Sequence, residues 1–208
     1  ELQSIVSHAD TAYILKDRSL HSESLAVDPK TGTCYVGSVR KGKIVAVDAK
    51  GLVRDFIAPG AHGLTSVLGL RIAPTGGSLW ACSSPMEVLE GYDSMASSLV
   101  SRFDLRTGKL VAQYDPPKKT GHVFGDLVIG SKGQVFVSDS KTNEIYVVNE
   151  KTQALDRFFV STDFWNLQGL AFSDDGRYLF ISDYIKGRCK SYMHKNDIFR
   201  TILKPNLS

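Results

Sequence analysis

The sequence predicts an all-β chain, a β-propeller built from four-stranded antiparallel blades, and three observations carry that expectation. Apolar and polar residues alternate with period two in short runs. Turns rich in Gly, Pro, Asp and Lys separate the runs, and the pattern of four runs recurs four times along the chain. At 208 residues, 42% hydrophobic and 23% charged, the composition suits one folded domain over residues 1–208 with a buried core.

The repeat is clearest when four segments are aligned on a leucine: Glu23-Ser24-Leu25-Ala26, Leu68-Gly69-Leu70-Arg71, Gly125-Asp126-Leu127-Val128 and Gln168-Gly169-Leu170-Ala171. Each opens a first strand and ends in a turn such as Asp28-Pro29-Lys30-Thr31-Gly32 or Asp174-Asp175-Gly176, whose residues tolerate positive φ. A second strand follows with an aromatic residue, at Tyr35, Trp80, Phe136 and Phe180. Third strands are expected from Ile44, Val100, Ile145 and Cys189, the second delayed by an insertion at Pro85 to Ser98. Fourth strands close the units at 52–57, 110–114, 155–160 and 198–203. Blades are therefore expected over about 23–57, 68–114, 125–160 and 168–204, with 11–16 as an extra strand that closes the ring. A β-sandwich fits less well, because sandwiches do not repeat sequence from one hairpin pair to the next.

Lys and Arg (25) outnumber Asp and Glu (22) by only three, and basic runs stay as short as Lys118-Lys119. Such a balance predicts no nucleic-acid partner. No apolar run approaches the ~18 residues of a membrane span, so no membrane partner is expected either. Cys34, Cys82 and Cys189 form no C-x-x-C pair and read as inert thiols. The compartment stays open between cytoplasm and export; Glu1 is not an initiator Met, which implies removal of an upstream segment.

In an antiparallel meander the connection into each first strand opens on one face, close to the central channel. That mouth is expected to hold His21 and Glu23, His62, His122 and Asp126, and Gln168. Carboxylate, amide and imidazole groups ringing a channel suit a hard cation or a polar small-molecule ligand. Polar surface and turn capping are the plainer readings of the same residues. The insertion, with Met86, Leu89, Tyr92 and Met95, is expected either as a lid over the mouth or as a satellite core. Asp139 and Asp183, in repeated Ser-Asp pairs, are expected to tie neighbouring blades through backbone hydrogen bonds.

At these strands the sequence resembles the regucalcin, gluconolactonase and luciferin-regenerating enzyme superfamily of six-bladed propellers. The likeness rests on Glu23-Ser24-Leu25-Ala26-Val27-Asp28 with Tyr35-Val36-Gly37, on Gly125-Asp126-Leu127 with Phe136-Val137-Ser138-Asp139, and on Gln168 to Gly176 running to Ser182-Asp183-Tyr184. It covers roughly Glu23 to Lys204. The resemblance implies hydrolysis of sugar lactones around one divalent cation, Ca, Zn, Mn or Mg. Glu23 would be one ligand of that metal, and Gln168 stands where the family places an Asn. The family's third ligand has no counterpart, and Val123 and Gly125 fall where it carries a substrate-binding Arg and Asn.

The metal would polarise the lactone carbonyl and acidify a bound water, with His122 or Asp126 as catalytic proton acceptor and His62 and His21 near the substrate. The alternative is a non-catalytic propeller that binds a small molecule or a protein at the channel mouth. Four blades also leave two ring arrangements open: a closed ring of four, or an incomplete six-bladed ring. In the second, uncovered blade faces predict self-association or a covering partner.

Overall fold

The computed structural model describes residues 11–118, 120–160, 162, 164–183, 188–193 and 200–201. Among the described residues there are sixteen strands and two short 3-10 turns, Arg18–Leu20 and Ala61–Gly63. The first sheet is β1 (Ser22–Val27), β2 (Cys34–Ser38), β3 (Lys43–Val47) and β4 (Val53–Ile57); the second is β5 (Ser66–Ile72), β6 (Ser78–Ser84), β7 (Leu99–Asp104) and β8 (Leu110–Tyr114). The third is β9 (Phe124–Ile129), β10 (Val135–Asp139), β11 (Glu144–Asn149) and β12 (Ala154–Val160). The fourth is β13 (Leu167–Phe172), β14 (Tyr178–Asp183), β15 (Arg188–Met193) and β16 (Arg200–Thr201). Every sheet is an antiparallel meander in chain order, and the first strands β1, β5, β9 and β13 lie side by side. This is the propeller arrangement of blades.

Period-two alternation decides which side chains fill which interface. In the second blade Leu70 pairs with Ala81 and faces the first blade, sharing a core cluster with its Tyr35, Ile44 and Ala46. Leu127 does the same between the second and third blades, with Cys82 and Val100 of the second, and Leu170 between the third and fourth, with Phe136 and Ile145 of the third. The aligned leucine is thus a knob directed at the preceding blade. Leu25 occupies the same register position on β1, opposite Val36, and is 63% exposed, whereas Leu127 is 0% exposed. Among the described residues no blade precedes the first.

Residues 11–16, expected as a ring-closing strand, carry no strand. Leu15 packs with Leu20, Val36 and Val45 on the open face of the first blade, covering its outer part and leaving Leu25 and Val27 in solvent. The expected fourth strand of the last blade is present at Arg200–Thr201; the rest of 198–203 lies outside the described residues.

Ties between blades come from an unexpected position. Ser138 Oγ donates to Gln168 O of the next blade (2.7 Å), and Cys82 Sγ, at the aligned position, contacts Phe124 O (3.7 Å). The aspartates that follow serve their own blade instead. Asp139 Oδ1 accepts from the backbone N–H groups of Val123 (3.1 Å), Lys141 (3.0 Å) and Thr142 (3.3 Å), and Asp183 Oδ2 accepts from Trp165 N (2.9 Å). A carboxylate offers several lone pairs to the converging N–H groups of a strand entrance and the facing turn, whereas the Ser138 hydroxyl accepts from Asp126 N in its own blade (3.0 Å) and still reaches a carbonyl of the next.

Candidate functional site

Glu23, Asp126 and Gln168, which begin the first strands of three different blades, line one cleft of about 270 Å³ together with Arg71 of the remaining blade. Strand geometry explains the convergence: the first strands run side by side, so their starts meet around one opening.

Asp126 is the fixed point. Its Oδ1 accepts from Leu127 N (2.8 Å), and its Oδ2 accepts from Leu170 N of the next blade (3.1 Å) and from Arg71 Nη2 of the previous one (3.1 Å). One carboxylate therefore joins three blades at the channel. Small neighbours make room for it: a Cβ on Gly69 would lie 2.8 Å from Cys82 Sγ and 3.1 Å from Asp126 Oδ1. Burial pushes the Asp126 carboxyl above its ordinary value, while Arg71 and the two backbone donors pull it down.

Glu23 stands at the rim without a hydrogen bond from any described residue. Partial burial, and then the like charge of Asp126, push its carboxyl up. Gln168 Nε2 donates to Asn166 Oδ1 (2.5 Å), and Gln168 Oε1 lies 3.4 Å from where a Cβ of Gly125 would stand. Gly125, lacking a side chain, leaves that space to Gln168.

The three histidines do not line this cleft. His122 is buried, its Nδ1 is 2.6 Å from Asp139 Oδ2, and its ring packs on Phe124 and Tyr146. His62 is exposed on a left-handed turn (φ 58°), its ring 6.0 Å from Phe103 and its carbonyl accepting from Gln113 Nε2 (2.8 Å). His21 is an exposed left-handed residue (φ 43°) whose carbonyl accepts from Val39 N (3.1 Å). A position just before the first strand brings a residue to the mouth face, whereas the cleft is lined from within the first strands, by Glu23, Asp126 and Gln168 near their starts and by Arg71 further along β5.

The insertion of the second blade is no lid over this cleft. Glu90 N donates to Arg40 O (2.8 Å), and Arg40 Nε donates to Glu90 Oε1 (3.0 Å), which pins the insertion to the β2–β3 turn of the first blade. Met86 joins the core between the second and third blades. Cys34 and Cys82 are free thiols; burial pushes both up, Cys82 strongly, as fits inert groups. The side chain of Cys189 lies outside the described residues.

Arg71 is the cleft residue that the sequence reading missed. It occupies the position after the aligned leucine, where the other blades carry Ala26, Val128 and Ala171. A charged residue in that otherwise small apolar series was the available signal.

No protein-family model and no curated protein matches the sequence. Solved structures do match. The chain superposes on a virginiamycin B lyase of Staphylococcus aureus, solved with quinupristin, with a TM-score of 0.70 at 16% identity, over 92% of this chain and 59% of that one. A gluconolactonase of Xanthomonas campestris gives a TM-score of 0.64 at 15% identity, over 86% and 60%. The periplasmic gluconolactonase of Pseudomonas aeruginosa gives 0.61 at 15% identity, over 89% and 58%. The chain thus spans about three fifths of the length of these structures. At the level of the fold, the resemblance read from the strand motifs holds: the chain is a β-propeller of the kind these gluconolactonases have.

Proposed function

We propose that the cleft between Glu23, Arg71, Asp126 and Gln168 is the ligand site of a gluconolactonase-like propeller, and that it takes a small oxygen-rich molecule of the lactone or sugar-acid class. The observation that carries this reading is the convergence of one charged or amide side chain from each of four blades on a single opening. Its volume of about 270 Å³ lies just below the usual range for drug-sized ligands, about 300–1,000 Å³, and so suits a small one. Two carboxylates, a guanidinium and a carboxamide offer the donors and acceptors that a polyhydroxylated ring requires.

The divalent cation implied by the resemblance does not fit these residues as they stand. Among the described side chains of the cleft, the uncommitted oxygens are those of Glu23, Gln168 Oε1 and the buried Ser24 hydroxyl, since both oxygens of Asp126 already accept hydrogen bonds and one of them faces a guanidinium. Among the described residues no three His, Cys, Asp or Glu side chains are grouped to hold a metal. Calcium takes about six to eight oxygens, and magnesium requires a near-octahedral shell.

In this reading the proton acceptor is Glu23, in place of His122, which is held by Asp139, and Asp126, which is held by Arg71. Glu23 takes a proton from water as the water oxygen attacks the lactone carbonyl. The ring C–O bond then breaks, and the leaving alkoxide recovers the proton, giving the hydroxy acid. A raised carboxyl pKa suits the task, because it makes the carboxylate a stronger base.

Hydrolysis of glucono-lactone above the spontaneous rate, followed by acid release, tests the proposal. Glu23→Gln is expected to lower turnover by about 10²-fold or more, the usual contribution of a positioned base. A wild-type protein with no turnover removes the hydrolytic reading. The full engagement of Asp126 favours a second reading, a non-catalytic binding site. That reading expects gluconate to bind wild type and Glu23→Gln alike, with no turnover in either.

A further inference from the structure

We infer that Arg71 is the fixed positive charge of this cleft, standing where a divalent cation would otherwise sit, and that its guanidinium holds the carbonyl or carboxylate oxygen of the ligand. The inference rests on the ligand cleft proposed above and concerns how that cleft is charged. Arg71 lies on β5, and its side chain is 36% exposed, while its partner Asp126 is only 17% exposed. Its Nη2 donates to Asp126 Oδ2 (3.1 Å) and its Nη1 to Leu70 O (2.8 Å). These two bonds fix the plane of the guanidinium, and its remaining N–H groups are available at the cleft.

Charge balance points the same way. Glu23 and Asp126 give the opening two like charges, and the Asp126 carboxylate raises the cost of ionising Glu23 within a partly buried site. A cation must offset them. Arg71 does so from within the chain: it neutralises Asp126 directly and leaves Glu23 as the net negative group. A metal entering the same opening would meet a guanidinium already bonded to its best ligand. It would have to displace that bond or do without Asp126, and either route lowers affinity. An arginine in this role is also pre-organised, because its planar fork matches a carboxylate or an ester carbonyl with little further ordering.

The same geometry gives the reaction an electrophile without a metal. As water adds to the lactone carbonyl, negative charge moves onto the carbonyl oxygen, and a positively charged donor fixed beside it stabilises that charge. Arg71 and Glu23 therefore divide the work: one holds the oxygen, the other takes the proton.

The test uses Mn²⁺ alone, titrated into wild type, Arg71→Met and Arg71→Lys and read by water-proton relaxation. Wild type and Arg71→Lys are expected to show no site tighter than about 1 mM, a weak-binding limit for oxygen-ligand sites. Arg71→Met frees the Asp126 carboxylate beside Glu23 and Gln168, and is expected to bind Mn²⁺ about tenfold more tightly or better, with the gain lost again on adding Glu23→Gln. A folded Arg71→Met protein that takes up no Mn²⁺ overturns the inference. So does a wild-type site well below 1 mM that Glu23→Gln abolishes, and this second measurement decides the matter if Arg71→Met does not fold. Gluconate titration of wild type with and without EDTA keeps the two proposals apart. Absence of gluconate binding in both conditions defeats the ligand reading, whereas binding that EDTA removes defeats only the role given to Arg71.

Discussion

Leu127 and Leu25 hold the same position in the repeat and meet opposite fates. Leu127 is wholly enclosed between the second and third blades, against Val137 and Tyr146. Leu25 leaves 63% of its surface in solvent on the open face of the first blade. Nothing in the local sequence separates them, since both follow a small or polar pair and point to the same side of their strand. Burial in a propeller belongs to the interface between sheets, and a leucine contributes only when a neighbouring sheet closes over it. The polar residues repeat the contrast. Asp126 is enclosed by three blades and paired with Arg71, whereas Glu23, on the first blade, has no hydrogen bond from any described residue.

The sharpest way to break this comparison is truncation at both leucines. Leu127→Ala is expected to cost about 2–5 kcal/mol in denaturant unfolding, because a packed interface closes poorly around the lost atoms. Leu25→Ala in the isolated chain should stay within about 0.5 kcal/mol, as for an exposed position. Equal costs would show that Leu25 is covered in solution. Sedimentation of wild type beside Leu25→Lys then identifies what covers it: self-association through this face, expected from uncovered blades, is weakened by the charge, and two identical monomer profiles remove it.

A smaller effect sharpens the polar half of the comparison. The Glu23 carboxyl is held above its ordinary value by burial and by Asp126, so the folded state keeps that proton more tightly than the unfolded state. The resulting stability is present below the unfolded pKa and is lost as pH rises through the raised folded value. Glu23→Gln removes that loss. Its melting temperature relative to wild type is therefore expected to climb as pH passes upward through and beyond the ordinary carboxylate range. A wild type that gains on the variant over that interval contradicts the assignment.

Much of the fold was legible because a strand writes its period directly into the sequence, and a repeated strand writes it four times. The blade boundaries from the leucine alignment fall within two residues of the observed strand starts at Ser22, Ser66, Phe124 and Leu167. Residues 11–16 were less legible. Their alternation suits a strand, but they carry none, and Leu15 instead packs its side chain on the face of the first blade. The convergence of Glu23, Asp126 and Gln168 on one cleft was legible because period two and the leucine alignment fix where a strand begins. His21, His62 and His122 were not, since turn geometry outside the strand decides their direction; two of them adopt left-handed φ, and the third is claimed by an aspartate seventeen residues away. Arg71 was overlooked because a polar residue in an alternating strand normally faces solvent, and its partner lies 55 residues further on in another blade.

The central claim is that Glu23, Arg71, Asp126 and Gln168 form one ligand-binding opening. The most direct test is an amide NMR titration of the isotopically labelled chain with gluconate. The account expects saturable shifts concentrated at Ser24, Arg71, Gly125, Asp126 and Gly169, with far smaller changes at His62 and at the insertion around Glu90. Shifts centred on His62 or Glu90, or no saturable shift anywhere, would contradict it.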